Sequence, residues 1–248
     1  MELIKTMMAL VTKYKSLLIS GIYKTLLLGI IGTIAGLLIG LVVGALRAIC
    51  LKHENNEKTI VRVFKKIVNF LLNFYITIFR GTPMMVQAMI IYFGVFDMGI
   101  KWDPFVAGLV VISINTGAYM AEIVRSGIQS IDAGQEEAAR SIGMSGWQAM
   151  RYIILPQAIR NAFPSIGNEL IVNIKDCCTL STIMITELFY QAKTIAGSTY
   201  KTVPAYLIAA VIYLILTTVA AFIMKKLERR INHTESNYFA SATLAQEK

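Results

Sequence analysis

Five apolar runs follow one another along the chain, and short stretches rich in charge, glycine and proline separate them. A helix needs about 20 residues to cross the hydrocarbon core of a bilayer. The second run is shorter than this and is expected to extend a little at each end. The pattern therefore predicts an all-α membrane protein with about five transmembrane helices, at residues 22–46, 84–96, 105–123, 156–174 and 204–224.

A polar stripe runs through the stretch between the first two of these runs. Across residues 58–77, basic and amide side chains recur every three or four positions among Ile, Val, Phe and Leu, which predicts an amphipathic helix at the inner interface. Gly81 interrupts this helix, and Thr82 is expected to cap the next one, with Pro83 at its first position. Arg80 is expected to snorkel or to anchor on a lipid phosphate.

Four glycines, Gly32, Gly36, Gly40 and Gly44, recur every four residues within the first run. On a helix they share one slowly turning face, which lets another backbone approach closely. Glycine is also simply common in membrane helices. Because all four are in register, helix packing is the favoured interpretation, and this face carries no chemistry.

The charges support a membrane location and predict an orientation. Only 16% of the residues are charged, against roughly 25% in soluble domains, and the net charge is +9. Of the 24 Lys and Arg residues, 15 lie in segments 47–66, 122–160 and 225–248, and 7 lie in the alternating segments 1–24, 97–103 and 187–203. The last of these is expected to be an outer loop. Basic residues collect on the cytoplasmic side, so the N-terminus is predicted outside and the C-terminus inside. This topology explains the positive charge better than a nucleic-acid partner does.

The three cysteines, Cys50, Cys177 and Cys178, are interpreted as reduced. Together with His53 and His233 they have no spacing typical of metal ligands, so no metal site is expected.

The polar segment between the third and fourth runs is predicted to fold as two short helices joined by a tight turn. Asp132 and Gln135 have the spacing of a capping box, as do Ser145 and Gln148, and Gly143 between them is a natural helix stop. The charge pattern places this segment in the cytoplasm. Its residues alone leave open whether it is an ordinary surface loop or a bare helix end seated in a groove of another protein.

The same segment, 132–156, resembles the EAA signature of the permease subunits of ABC importers. The match extends over about twenty residues, and its proline is also expected to break or kink the chain as it enters the membrane. The defining residues are Glu137, Ala138, Ala139, Gly143, Ile153, Leu155 and Pro156. The resemblance implies a type I ABC importer fold, in which this coupling helix docks in a groove of a cytoplasmic ATPase.

Further stretches resemble the permeases of polar amino acids of the histidine/glutamine/arginine/cystine type. They include "FRGTPMMVQAMIIYFG" and "ILPQAIRNAFPSIGNELIVNIKD". The likeness implies an extracytoplasmic segment at 1–16, a permease domain at 17–231 and a cytoplasmic tail at 232–248, in a bacterial cell membrane. Cys177 and Cys178 depart from it, because the family usually has a small hydroxyl pair at these positions.

Polar residues within two of the runs are candidates for a substrate pathway. A stripe on the fourth run contains Asn161, Asn168 and Lys175, with Glu169 and Asp176 beside it. Polar groups at this depth usually face the bundle interior or water. For the two asparagines, hydrogen bonding between helices is the favoured alternative.

Two questions about this pathway stay open. Lys175 and Asp176 offer one partner each for the carboxylate and the ammonium of an amino acid, or else they pair with each other. A second polar face, on the third run, contains Asn115, Tyr119 and Glu122 and is expected to point inward as well.

The leading hypothesis is the permease subunit of an ATP-driven importer that moves a polar amino acid by alternating access. The chain has no Gly-x4-Gly-Lys-Ser/Thr loop, so it is not expected to be an enzyme, and ATP and Mg are expected on a partner. The expected partners are a pair of ATPase subunits, a second permease copy (identical or related), an extracytoplasmic amino-acid-binding protein and membrane lipid. The alternative is a stand-alone secondary transporter or channel for small polar solutes. That alternative predicts internal repeats, which the sequence lacks.

Overall fold

The computed structural model describes residues 2–51 and 58–246, and for 232–246 it describes the backbone alone. These residues form α-helices joined by short connections. A π-helical turn, Met150–Ile154, joins two of the helices, and a 3₁₀ segment, Cys177–Ile183, follows a third. The helices are α1 (Glu2–Leu51), α2 (Thr59–Gly81), α3 (Met84–Asp97), α4 (Pro104–Gln129), α5 (Ala133–Ser141), α6 (Gly146–Ala149), α7 (Leu155–Asp176), α8 (Leu188–Thr199) and α9 (Thr202–Gln246).

Within the described part of the chain, three helices are long and apolar enough to cross a membrane: α1, α4 and the part of α9 at 202–231. The bent pair of α2 and α3 supplies a fourth crossing if it is taken as one broken span. With 14 residues, α3 is about 21 Å long at 1.5 Å per residue, which is too short to cross a core of about 30 Å alone. α7 is long enough, at 22 residues, but it carries the polar stripe.

Helix α1 is the longest helix of the bundle. It packs most extensively on α4. Its glycine face lies against α4 so closely that a Cβ on Gly36 would lie 2.6 Å from Thr116 Cβ. Because real Cβ atoms essentially never come within 3.0 Å of another heavy atom, a larger residue there would push the helices apart. The facing pairs are Gly32 with Ile112, Gly36 with Thr116, Gly40 with Met120, and Gly44 with Val124.

The chain bends by 111° between α2 and α3. Gln87 holds this corner, because its Nε2 donates to the carbonyls of Phe79 at 3.0 Å and Thr82 at 2.9 Å. Its Oε1 accepts from Asn115 Nδ2 at 2.8 Å, which ties the corner to α4. Asn115, predicted to lie on an inward polar face, is therefore used to hold the bend.

The predicted cap of α3 is wrong. Thr82 has an extended backbone, and its hydroxyl donates back to Ile78 O at 2.8 Å. Pro83, expected at the first helical position, is instead the N-cap residue. The Thr82 hydroxyl is instead engaged by Gln87, whose Nε2 donates to Thr82 Oγ1 at 2.8 Å.

The segment at 187–203, expected to be an outer loop, contains the buried helix α8. Glu187 caps it by accepting from the backbone N–H groups of Phe189 and Tyr190, both at 2.8 Å. Its apolar side chains, such as Leu188 and Ile195, pack against α9 and the first part of α1, where Leu10 is 5% exposed. The sequence prediction missed it because the partner surface comes from residues almost 180 positions earlier.

The polar segment folds as two short helices, as predicted. Asp132 caps α5 by accepting from Gly134 N–H at 2.7 Å, and Ser145 and Gln148 form a complete capping box at the start of α6. Gly143 lies between them with φ of +86°. Its N–H donates to Arg140 O, and the next N–H donates to Ala139 O, which is the paired-bond pattern that ends helices at a left-handed residue.

Candidate functional site

The short helix α5 presents a small exposed surface at one end of the bundle. Glu137, Ala138 and Gly143 are exposed there, and the side chain of Ile142 is 79% exposed. Ala139, which was expected to contribute to this surface, is only 5% exposed because it faces inward. The exposed Ile142 side chain lies beside the small residues Ala138 and Gly143. Such a surface can fit closely into a groove of another protein.

The rest of the signature lies inside the connection from this surface to the bundle. α6, the π-helical turn and α7 follow one another without a break, and α5 packs against α6 and the turn. Ile153 and Leu155 are half-buried in this connection. Pro156 lies in the first turn of α7, where a proline costs little, so the predicted break appears as the wider π-helical turn just before it.

A polar cavity of about 470 Å³ lies between α2, α4 and α7. Its volume is within the range of about 300–1,000 Å³ typical of small-molecule sites. The polar side chains that line it come from all three helices: Arg80, Tyr119, Glu122, Ser126, Ser130, Asn161 and Ser165.

Arg80 lines this cavity, and its assignment to snorkelling or to a lipid phosphate stays a prediction. Its guanidinium lies over the Tyr119 ring, 5.3 Å from the centroid, a distance typical of a cation–π contact. The end of α2 is held against α4, because Asn115 Nδ2 donates to Phe79 O, next to Arg80, at 3.1 Å. Arg80 also lies within electrostatic reach of the Glu169 carboxylate on α7.

Glu122 lines the cavity but is already paired with two arginines. Arg47 on α1 donates to its Oε2 at 3.0 Å, and Arg125 one turn later donates to its Oε1 at 2.9 Å. A carboxylate held in two charge-assisted hydrogen bonds is poorly placed to bind a substrate ammonium. The geometry therefore gives Glu122 a role in joining α1 to α4.

The polar stripe of α7 does not face one single space. Asn161 and Ser165 line the polar cavity, and Asn161 Nδ2 donates to Ser130 Oγ at 3.0 Å, as expected of a residue that joins helices. Asn168 lines a smaller groove, of about 200 Å³, next to α9. Lys175 is exposed at the far end of the helix.

The two carboxylates beside the stripe differ in their surroundings. Glu169 is 9% exposed, whereas Asp176 is exposed. Among the described residues no ion pair within 4.0 Å joins Lys175 to Asp176, although the Lys175 charge acts on the Asp176 carboxyl. The two alternatives for this pair therefore both stay predictions. Asp176 lies within electrostatic reach of Glu169, so the two carboxyl groups lie on the same side of α7.

Asn173 joins three helices and was missed by the sequence reasoning. Its Oδ1 accepts from Thr116 Oγ1 at 3.1 Å, and its Nδ2 donates to Thr33 Oγ1 at 2.8 Å. It lies off the stripe and is 3% exposed. The signal available in the sequence was an asparagine on the apolar side of a spanning helix, which is costly unless it is paired.

Comparison with known proteins agrees with this arrangement. Residues 59–233 match the family described as binding-protein-dependent transport system inner membrane component. The chain belongs to this family. The prediction of an importer permease, made from the signature at 132–156, is thereby confirmed, and the stand-alone transporter is not favoured.

Two relatives of this permease are similar over most of their length. The glutamine transport system permease protein GlnP of Escherichia coli is 38% identical over 87% of this chain and 93% of its own. The putative glutamine transport system permease protein GlnP of Rickettsia typhi is 40% identical over 80% of this chain and 87% of its own.

A solved structure described as an amino acid ABC transporter with histidines has a chain that resembles this permease. The two are 39% identical, with a TM-score of 0.77, over 88% of this chain and 96% of the other. The type I ABC importer fold and the resemblance to polar amino-acid permeases are confirmed. As an inner-membrane component with several apolar helices, the permease is a membrane protein.

Proposed function

We propose that this permease is the translocating subunit of an ATP-driven importer of a polar amino acid, and that it works by alternating access. The observation that carries the proposal is the polar cavity between α2, α4 and α7, which lies next to the continuous helical connection from α5. The names of the relatives support glutamine or histidine as the type of substrate. The chain itself binds no cofactor in this proposal, and ATP and Mg belong to a separate ATPase.

Within the cavity, Arg80 is the proposed partner of the substrate carboxylate. An arginine presents donors in a planar fork that matches a carboxylate. Asp176 is the proposed source of the negative charge that attracts the ammonium group, with the buried Glu169 on the same side of α7 as a hydrogen-bond acceptor. The sequence also offered Lys175, Asn168 and Asn115 as candidates for the substrate pathway. Of these, Lys175 remains a candidate for the outer end of that pathway.

The α5 surface is the proposed contact with the ATPase. Glu137, Ala138 and Gly143 would lie in its groove, with Ile142 as the apolar anchor. Because α6 and α7 continue from this surface without a break, a displacement of α5 by the ATPase moves α7, which lines the polar cavity. This continuous connection supports a coupling role for Ile153, Leu155 and Pro156, which lie within it.

A second permease copy is proposed to cover the open side of α7. Asn161, Ser165, Asn168 and Lys175 are exposed on the single chain. Polar side chains exposed to hydrocarbon are costly, so at membrane depth this face would need another subunit or water beside it. The copy is either identical or a related chain.

The proposed orientation places the N-terminus and α8 outside, where an amino-acid-binding protein delivers the substrate. The α5 surface and the C-terminus lie in the cytoplasm of a bacterium. The distribution of Lys and Arg supports this orientation, since 15 of 24 lie in the segments assigned to the inside.

The test is uptake by vesicles that contain the permease, its ATPase and its binding protein. We expect ATP-dependent accumulation of one member of a panel of glutamine, histidine, arginine and cystine, with glutamine as the first candidate. A vesicle with ATP omitted is the matched control. Equal accumulation with and without ATP would support the stand-alone transporter instead, and accumulation of none of the four would contradict the substrate class.

A further inference from the structure

A second, apolar cavity of about 570 Å³ lies at the α5 end of the bundle, on the opposite side of α4 from the polar one. It is enclosed by the last turns of α1, the start of α2, the α6 region and the first turns of α7. Leu41, Ala45 and Ile49 form one wall, and Leu155 and Ile159 form the other. The proposed function assigns nothing to this cavity.

The cavity opens within a surface that has the character of a lipid contact. Along α1, the side chains of Ile34, Leu38 and Val42 are each 57–60% exposed, at steps of four residues that place them on one face. Val42 both belongs to this face and lines the cavity. The groove is therefore a recess in an apolar surface that continues along the membrane-spanning part of α1.

Two cations and an indole lie in the lining of the same groove. They are Lys65 on α2, Arg151 in the π-helical turn and Trp147 on α6. Trp147 is 63% exposed, and tryptophan is enriched at the depth of lipid headgroups. An apolar recess with positive charge in its lining matches a molecule with apolar chains and an anionic head.

The first turns of α2 carry a row of cations beside an apolar surface. Lys58, Arg62 and Lys65 follow one another at steps of four and three along one face. Near them, Ile60 is 82% exposed and Phe64 67% exposed, as expected of first turns that lie at a membrane interface. The cationic face of α2 therefore continues into the groove, since Lys65 lies in its lining.

We propose that this groove binds one anionic phospholipid from the leaflet on the α5 side of the membrane. An acyl chain lies between α1 and α7, and the headgroup phosphate is held by Lys65 and Arg151. The site contacts α1, α2, the π-helical turn and α7. A bound lipid would therefore join the helical connection from α5 into α7 to helices α1 and α2. It rests on the membrane location of the chain and requires neither an amino-acid substrate nor an ATPase.

The two tryptophans of the chain allow a direct test. Only Trp102 and Trp147 are present, so full-length Trp102→Phe permease in phosphatidylcholine vesicles reports on Trp147 alone. Phosphatidylglycerol with brominated acyl chains is added in one series, and phosphatidylcholine with the same brominated chains in the other. We expect the anionic lipid to quench Trp147 at a much lower mole fraction, by roughly fivefold for each cation that holds it.

Matched variants separate the groove from the general surface. Lys65→Gln with Arg151→Gln should remove the preference for phosphatidylglycerol, whereas Lys226→Gln, an exposed lysine on α9, should keep it. Ala45→Phe fills the groove and should weaken quenching by both lipids, whereas Leu38→Phe on the outer face of α1 should not. Circular dichroism of each variant identifies one that fails to fold, and the comparison of lipids in the Trp102→Phe chain does not depend on these variants.

Three results would overturn the proposal. Equal quenching by the two brominated lipids would mean ordinary contact with bulk lipid. No quenching by either would mean that a second protein chain covers the groove. Relief of quenching by excess inorganic phosphate would mean that the cations bind a free phosphate and that the acyl chain contributes nothing.

Discussion

Asn173 Nδ2 donates to Thr33 Oγ1 across 2.8 Å and so joins α7 to α1 in the interior of the bundle. The same asparagine accepts from Thr116 on α4. The Asn173 side chain therefore fixes the relative positions of α1, α4 and α7.

Replacement of Asn173 by Ala should destabilise the permease. Hydrogen bonds between membrane helices contribute about 0.6 kcal/mol on average, and up to about 1.7 kcal/mol, so the loss of two should cost about 1 to 2 kcal/mol. The measurement is the thermal unfolding temperature of the purified permease in detergent. Asn168→Ala is the matched control, because Asn168 is exposed on the same helix. Equal unfolding temperatures for the two variants would contradict the assigned role of Asn173.

Replacement of Gly36 by Leu should separate α1 from α4. A Cβ at this position already lies 2.6 Å from Thr116 Cβ and 3.1 Å from Gly117 N. Overpacking of this kind costs about 1 to 3 kcal/mol, or more where backbone is the obstacle. The yield of monodisperse protein from membranes measures the effect. Gly94→Leu on α3 is the control, since nothing lies within 4 Å of its added Cβ, and it should retain the wild-type yield.

Replacement of Tyr213 by Phe should loosen the junction of α8 and α9. The Tyr213 hydroxyl donates at 2.7 Å to the fully buried Glu187, which also caps α8. Loss of this donor leaves a buried carboxylate with one partner fewer, at a cost of about 1 to 3 kcal/mol. The unfolding temperature in detergent should fall by several degrees, while Tyr200→Phe, at a side chain that is 93% exposed, should leave it unchanged. A similar fall for both variants would show that the Glu187 contact is not the cause.

Replacement of Arg80 by Gln should abolish most uptake while the complex still assembles. A hydrogen bond to a charged group contributes about 1.5 to 3 kcal/mol, which corresponds to a loss of roughly tenfold or more in the rate at low substrate concentration. Arg80→Lys should recover part of it, because it keeps the charge and loses the planar fork. Initial uptake rates over a range of substrate concentrations provide the measurement. Wild-type rates for Arg80→Gln would exclude Arg80 from the substrate site.

Much of the local structure follows from the sequence. The capping box at Ser145 and the stop at Gly143 were predicted because they depend on residues two to five positions apart. The signature at 132–156 likewise gave the family without any tertiary contact.

The features that sequence reasoning missed depend on distant residues. α8 was taken for a loop because its buried face meets Leu10. The position of Arg80 over Tyr119 could not be predicted, because it depends on how the end of α2 packs against α4, where Asn115 donates to Phe79 O. Helix ends and caps are local in the sequence, whereas the direction in which a polar side chain points within a bundle depends on how several helices meet.

Coupling of an ATPase to transport through the α5 surface can be tested directly. The measurement is ATP-dependent uptake by vesicles that contain the permease, ATPase and binding protein, for Ala138→Trp against Ala133→Trp. Ala133 is exposed and lies about 140° round α5 from Ala138, at 3.6 residues per turn. We expect Ala138→Trp to insert into the membrane at the wild-type level but to lose both uptake and binding of the ATPase, while Ala133→Trp keeps both. Wild-type uptake by Ala138→Trp, or uptake that continues without any ATPase, would contradict this coupling.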